Sequence, residues 1–442
     1  MNIRYNVRNE IISWGRRCWI IDRGTGKLII LPPPLTKLFE LKSFFAKSHI
    51  CQLGVLGRYY YNTYSVRDHI IDSISIFIDW HTELEKKGKL FEDIADYDEV
   101  LLAIGAHDLR KPPGTPTTEP FQDIPHEDLS PLEEFKELCE KVDLNFERIN
   151  NSIKGSGPYS VFLESEVDAD KLAYISRELP YLNKKYGIGL NYEELFQDLL
   201  CNMIIRREGN SYEWFLKDRS SKVISTFIRY KKAMIKLYYD FLEPHIVTLE
   251  ALTLRVIERH LEAFKSIINN PYATDIDLYR MMERLEPKMS KMIFQGKTPL
   301  YTSFTFKRDP RLKTLLDTPE YIKAELLKSA EKDNCLEFRR RLEEEIRRKL
   351  KVAHEDEIIV MPHIRVKKYF LFTRDPSHWK YSLKYETESG GLEDVATLRT
   401  FSNEIERLRK KEEIVTFSVT YPVTFRPNIR KLNWEELLVS IF

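Results

Sequence analysis

The dominant repeat of the chain is helical. Between residues 35 and 275, apolar side chains recur three and four positions apart in 70–86 (IIDSISIFIDWHTELEK), 98–107, 130–150, 170–186, 192–206 and a long stretch 212–268. This spacing lines one face of each helix with apolar groups and predicts an α-bundle. Ahead of it, residues 17–31 (RCWIIDRGTGKLIIL) hold two β-branched runs separated by Arg-Gly-Thr-Gly, a hairpin pattern whose glycines serve the turn. A phosphate-cradling loop is the sharper reading of those glycines, but it needs a helix directly behind them. Pro32 to Pro34 end the second strand and open the helical region. The helical signal weakens over 275–310, where Pro287, Pro299 and Pro310 interrupt it. In 319–351 the run EFRRRLEEEIRRKLK sets Glu and Arg at i,i+3 and i,i+4, which suits a solvated helix better than a nucleic-acid-binding arm. After it the period changes to two in EIIVMPHIRV, KKYFLFT, WKYSLKYE and IVTFSVTYPV, with TLRTFSNEIERLRKK as a helix between the last two. The expectation is a mainly α protein: a helical bundle with an N-terminal β-hairpin and a small C-terminal α+β lobe, divided as 1–330 and 331–442.

Composition narrows the class. Apolar residues make up 43% of the 442 and charged residues 31%, with 16 Gly, which is a folded soluble chain and not a disordered one. The 69 basic and 68 acidic side chains leave a net charge of +1, so no global field draws in nucleic acid or an anionic membrane, and any anionic ligand must be held by a local cluster. Five scattered cysteines (Cys18, Cys51, Cys139, Cys201, Cys335) without a CxxC spacing argue against a disulfide framework or thiolate zinc site and fit a reducing cytoplasm. No apolar run approaches the roughly 20 residues that span a bilayer, and MNIRYNVRNE has no apolar leader core, so neither export nor membrane anchoring is expected.

Candidate chemistry begins at LLAIGAHDL, an apolar helix ending in His107-Asp108. A buried Asp there needs a partner or a metal to offset its desolvation; an exposed helix cap is the plainer alternative. Upstream, Arg67-Asp68-His69 opens an amphipathic helix, and downstream Asp168-Ala169-Asp170-Lys171 opens another. Three helices can therefore bring His69, His107, Asp108 and Asp170 to one point. Two imidazoles and two carboxylates form a mixed N/O set suited to Mn²⁺, Fe²⁺ or Mg²⁺, and compatible with Zn²⁺. Such an ion polarises a phosphoryl oxygen and lowers the pKa of coordinated water. Asp170, Tyr174 and Glu178 repeat at i, i+4, i+8 beside Lys171, so they share one face. Taken alone, that pattern also describes an ordinary helix start whose acidic residues complement the dipole.

These segments, in this order, resemble the HD-domain dNTP triphosphohydrolases, meaning the bacterial dGTP hydrolases and the sterile-alpha-motif/HD-domain dNTPase of animal cells. WIIDRGTGKLIILPP is similar to that family's opening DPxHGxIxL hairpin, and Gln52-Leu53-Gly54 follows it. RDHIIDS and GAHDL then match the first metal His and the HD dipeptide. His126 to Ser130 (HEDLS) resembles its HExxS element, VDADKLAYISRE its DxDKxxYxxRD helix, and FIRYKKAMIKLYYDFLEPH its long Tyr-bearing helix. The resemblance covers roughly residues 17–270, and the C-terminal lobe fits the animal branch. It implies an HD-domain bundle, and metal ligation by His69, His107, Asp108 and Asp170. It also implies triphosphate contacts from Arg67 and Lys171, sugar contacts from Gln52, Leu53, Tyr174 and Glu178, a Tyr238 that crowds the sugar 2′ position, and assembly into a homo-oligomer, a dimer or tetramer.

The chain departs from the family in three places. Where the family reads HDxGHxPFxH this chain has HDLRKPPGTP, so Lys111 and Pro116 replace both later histidines. Lys111 or Arg110 becomes a candidate for phosphate charge, and His126 is the remaining candidate catalytic histidine, as proton donor or phosphate partner; a surface histidine in a proline-flanked loop is its equal alternative. Tyr230 stands where the family has an arginine, with Arg229 beside it. ELKSFFAKS at 40–48 lacks the Gln and Arg with which the animal branch reads an activating guanine nucleotide. Three functions follow as expectations. The first is metal-dependent hydrolysis of dNTPs to deoxynucleoside and triphosphate, with Asp108 indispensable. The second is an HD phosphohydrolase acting on another nucleotide or single-stranded nucleic acid. The third is a regulatory scaffold that binds nucleotide without turnover.

Overall fold

A computed structural model of the chain describes residues 10–14, 17–22, 27–52, 64–86, 94–217, 221–237, 244–295, 301–305, 336–351, 358–362, 384–399, 402–404 and 417–441. The protein is mainly α with small sheets, and its contacts divide it into two compact units. The first unit takes 1–237, 265–278 and 369–409; the second takes 238–264, 279–368 and 410–442.

The first unit opens with three antiparallel strands, β1 (Glu10–Trp14), β2 (Arg17–Asp22) and β3 (Lys27–Leu31), in the order β1-β2-β3. The β2–β3 hairpin is the one its β-branched runs predict, and β1 adds a strand to it; the Arg-Gly-Thr-Gly turn lies outside the described residues. Short helices α1 (Pro33–Leu38) and α2 (Lys42–Ala46) follow. α3 (Val66–Glu85) and α4 (Ile94–Ala106) come next; α3 begins at a capping box in which Ser65 and Asp68 each accept the other's backbone N–H. The Asp of the RDH motif is therefore spent on starting the helix. Gly105 lets α1 approach α4 closely, since a Cβ there would lie 2.4 Å from Leu38 Cδ2 and 3.2 Å from Leu35 Cδ2.

The single helix expected over 130–150 is two, α5 (Glu133–Lys141) and α6 (Phe146–Ile153), parted by Asp143 at φ +56° and restarted by the Asn145 cap. α7 (Ala169–Tyr186) runs from an Asp168 cap to Gly187, which takes φ +61° as a left-handed stop. α8 (Tyr192–Asp198) is short, and the helices expected through 192–206 and from 212 onward are corrected here. Met203–Glu208 and Ser211–Leu216 form an antiparallel hairpin, β4 and β5, before α9 (Ser221–Ile235) resumes the helical pattern. The reason is local: Ile204, Ile205, Tyr212, Trp214 and Phe215 favour strand, and Gly209, at φ +61°, with Asn210 forms the two-residue turn. β5 continues the sheet in parallel with Lys384–Glu386, which pairs in turn with Leu392–Asp394.

The second unit is α+β. A three-stranded antiparallel sheet sets Phe417–Pro422 between Tyr301–Thr305 and Ile359–Pro362, with helices Pro244–Arg259, Leu336–Leu350 and Trp434–Ile441. The charged helix Leu336–Leu350 is less solvated than its composition predicts. Phe338, Leu342 and Ile346, four apart, are buried in an apolar core with Val360, Val419 and Trp434. Its inward charges are matched, Arg339 with Glu258 at 2.8 Å and Glu343 with Arg255 at 2.6 Å. The expected strand KKYFLFT, and most of the helix expected over 397–411, fall outside the described residues. Among the described residues no helix is long and apolar enough to cross a membrane.

Candidate metal centre

Three helix ends of the first unit deliver the predicted ligands to one place. His69 lies in the first turn of α3, His107 and Asp108 directly follow the last residue of α4, and Asp170 lies in the first turn of α7; α3 packs on both α4 and α7. His69 Nε2 is 2.7 Å from Asp170 Oδ1 and 3.3 Å from His107 Nε2, and His107 Nε2 is 3.6 Å from Asp170 Oδ1. These three donors lie within 4.8 Å of one another, an arrangement able to hold a metal ion. Adjacent donors about 2.1 Å from an octahedral ion stand about 3 Å apart, so the spacings fit a first-row divalent cation. Asp108 Oδ2 lies beside this group, 3.5 Å from His107 Nε2 and 3.8 Å from His69 Nε2.

The tautomer is set by the second ring nitrogen. His107 Nδ1 lies 2.7 Å from the carbonyl of Ile104, to which it can only donate, so in the neutral ring Nε2 presents its lone pair to the other ligands. His69 Nδ1 is buried and has no hydrogen-bond partner among the described residues. The electrostatics favour positive charge. Burial alone would lower the His107 pKa, yet the charge of Asp108 and the hydrogen bond His107 donates to Asp170 raise it to about 9. Burial would raise the Asp170 carboxyl, but hydrogen bonds from both histidines hold it well below the usual carboxylate range. A divalent ion competes for the lone pairs that otherwise hold those protons.

Other predicted residues surround this point at differing distances. Lys111 Nζ donates to Asp108 Oδ2 at 3.0 Å, and Gln52 Nε2 reaches the same oxygen at 3.5 Å. His126, in the loop before α5, is mostly buried, with Nε2 3.6 Å from Asp108 Oδ1 and Nδ1 3.5 Å from Glu127. It is brought there by Arg110, whose guanidinium donates to the carbonyls of Pro125 and Asp128. Asp128 in turn accepts from Ser130 N at 3.0 Å and from Lys154 at 3.2 Å, which folds HEDLS into a fixed turn. The Tyr174 ring centroid lies 6.2 Å from that of His69, with its hydroxyl 3.8 Å from Met234 Sδ. Glu178, one turn further on, is buried; its Oε1 has no hydrogen-bond partner among the described residues, and desolvation raises its pKa to about 8.

Two residues are engaged elsewhere. Lys171 Nζ donates to Asp168 Oδ2 at 2.5 Å, pairing with its own helix cap. Arg67 Nη1 donates to Ser48 Oγ at 3.3 Å, with its guanidinium over Phe44. Tyr230 donates to the carbonyl of Glu166 at 3.0 Å, and Lys231 beside it forms a buried ion pair with the Glu166 carboxylate. Leu53 and Tyr238 lie outside the described residues.

Sequence reasoning missed two buried residues that position the centre. Lys47 Nζ donates to the carbonyls of Lys111 at 2.8 Å and Pro271 at 3.1 Å, and burial pushes its pKa down to about 7 against the charges of Asp108 and Asp275. Asp275 accepts from Cys51 N and Gly114 N, both at 2.9 Å, and so ties the segment carrying Gln52 to the loop carrying Lys111. Their partners are backbone groups up to 224 residues away, so no motif marks them.

No protein-family model matches the chain, and no curated protein matches it. Solved structures share its fold. A phosphohydrolase from Bacteroides thetaiotaomicron superposes with a TM-score of 0.61 at 15% identity, over 91% of this chain and 99% of that one. A hypothetical protein from Aquifex aeolicus superposes with a TM-score of 0.63 at 14% identity, over 96% of this chain and 100% of that one. At such identities the likeness concerns the fold alone, which is one that a solved phosphohydrolase also adopts.

Proposed function

We propose that the chain is a metal-dependent phosphohydrolase whose substrates are deoxynucleoside triphosphates, released as deoxynucleoside and triphosphate. The observation that carries the hydrolase reading is the convergence of His69, His107 and Asp170, from three separate helix ends, at spacings suited to a divalent cation, with Asp108 beside them. The substrate class rests on the ordered resemblance to the dNTP triphosphohydrolases.

In this reading His69, His107, Asp108 and Asp170 hold the ion, which supplies Lewis acidity toward a phosphoryl oxygen and toward water. Lys111 takes up phosphate charge that grows in the transition state, and Arg67 joins it on leaving Ser48. His126, 3.6 Å from Asp108, holds the proton for the leaving oxygen, the part left open by the replacement of both later family histidines. Tyr174 packs on the sugar and Glu178 meets its hydroxyl. By the same resemblance the protein assembles as a dimer or tetramer, which light scattering of the purified protein checks.

A second reading, hydrolysis of a different phosphoester, is favoured by one observation: Lys171, the triphosphate contact carried over from the family, is paired with Asp168. Incubating the Mn²⁺-loaded protein with each dNTP and separating the products by ion exchange decides between them. Triphosphate release supports the first reading. Pyrophosphate or monophosphate release supports the second; metal binding without turnover of any dNTP refutes the first, and inertness toward other nucleotides and single-stranded nucleic acid as well refutes the second.

A further inference from the structure

Asp108 Oδ2 has the candidate metal ligands and an ammonium for neighbours. On one side are the Nε2 atoms of His107 at 3.5 Å and His69 at 3.8 Å, where a metal ion would be held. On the other is the Lys111 ammonium at 3.0 Å, on a side chain only 14% exposed. One carboxylate oxygen cannot neutralise an ammonium and a divalent ion equally, and water has little access to screen the repulsion between them. The backbone of Lys111 is pinned at both ends: its N–H donates to Asp108 O at 3.0 Å and its carbonyl accepts from Lys47 at 2.8 Å. Only the tetramethylene arm is left to carry the ammonium elsewhere.

We propose that Lys111 is a resident competitor of the metal ion: it holds Asp108 in the metal-free protein, and when an ion takes Asp108 the ammonium moves to the phosphoryl oxygens of the substrate. The inference rests on the metal reading above and adds a residue that weakens metal binding while strengthening binding of the phosphorylated ligand. A residue with a merely structural role would, on removal, weaken both.

The test is Mn²⁺ affinity, by calorimetry on the full chain, for wild type, Lys111→Met, Lys111→Gln and Lys111→Arg. Circular dichroism checks that each is folded. The neutral variants should bind Mn²⁺ about tenfold tighter and the arginine variant like wild type. The KM for whichever nucleotide the wild type hydrolyses should rise several-fold in the neutral variants. Equal or weaker Mn²⁺ binding by both neutral variants overturns the proposal. Wild-type protein supplies an independent arm: mass-spectrometric labelling of amines should show Lys111 acylated several-fold faster once Mn²⁺ is added, and an unchanged rate also overturns it. If wild type and Asp170→Ala alike bind no Mn²⁺, the metal reading itself has failed. If wild type binds and the neutral variants gain nothing, only the role of Lys111 has.

Discussion

At the scale of single residues, what distinguishes the centre is how its charges are compensated. Asp170 bridges both histidines, so replacing it by alanine removes a candidate ligand and leaves two imidazoles facing each other at 3.3 Å. Asp170→Ala should lose bound Mn²⁺ on dialysis and hydrolyse nucleotides at least 100-fold more slowly, in keeping with typical losses for catalytic groups. Retention of wild-type metal content by this variant would remove Asp170 from the ligand set. Glu178 gives a second prediction, in pH. Its carboxyl is raised from an ordinary 4.5 to about 8 by burial, so the folded state binds a proton that the unfolded chain has released. The stability this contributes is fully present below pH 4.5 and is lost as pH rises through 8, up to a few kcal/mol on the scale of about 1.4 kcal/mol per pKa unit. Glu178→Gln keeps the neutral shape and removes the titration. The difference in melting temperature between variant and wild type should therefore widen in the variant's favour from pH 5 to pH 8.5; a constant difference would mean that Glu178 is solvated.

At the scale of elements, the helices were legible wherever a cap and an apolar stripe agreed. α3 and α7 lie where the three- and four-residue periods of 70–86 and 170–186 place them, and Ser65 and Asp168 cap them. The β4–β5 hairpin was not, because short apolar runs satisfy both periods and the deciding pair, Gly209-Asn210, is only two residues long. The charged helix Leu336–Leu350 misled for another reason. Its Arg339 and Glu343 are compensated by Glu258 and Arg255 from elsewhere in the chain, which nothing local announces. Packing between elements yields its own prediction. Gly105→Ala would press a methyl carbon to 2.4 Å from Leu38 Cδ2, so α1 and α4 must shift or repack. Destabilisation of about 1–3 kcal/mol in urea titration is expected, with lower metal affinity because His107 lies two residues beyond. A neutral result would mean that the leucines have room to rotate away.

At the scale of the whole molecule, metal and stability are linked. The candidate ligands come from positions 69, 107, 108 and 170, so an ion that binds them only when folded raises the unfolding free energy by mass action. At an Mn²⁺ concentration of 100 times its Kd this amounts to about 2.7 kcal/mol. The first thermal transition should therefore rise by a few degrees with Mn²⁺ and return with excess EDTA, and it should not move in Asp170→Ala. An equal shift in that variant would mean that Mn²⁺ stabilises the protein at some other place.

The sequence by itself determined the helical class, the elements carrying His69, His107, Asp108 and Asp170, and the order of motifs that points to phosphoester chemistry. These are local properties, written in period, caps and dipeptides. Only the tertiary structure decided that His69, His107 and Asp170 meet with Asp108 beside them, that Lys111 rests on Asp108, that Lys171 turns to Asp168, and that Lys47 and Asp275 brace the loops around them. Those outcomes depend on which groups lose water together and must compensate one another, and that follows from how distant segments pack.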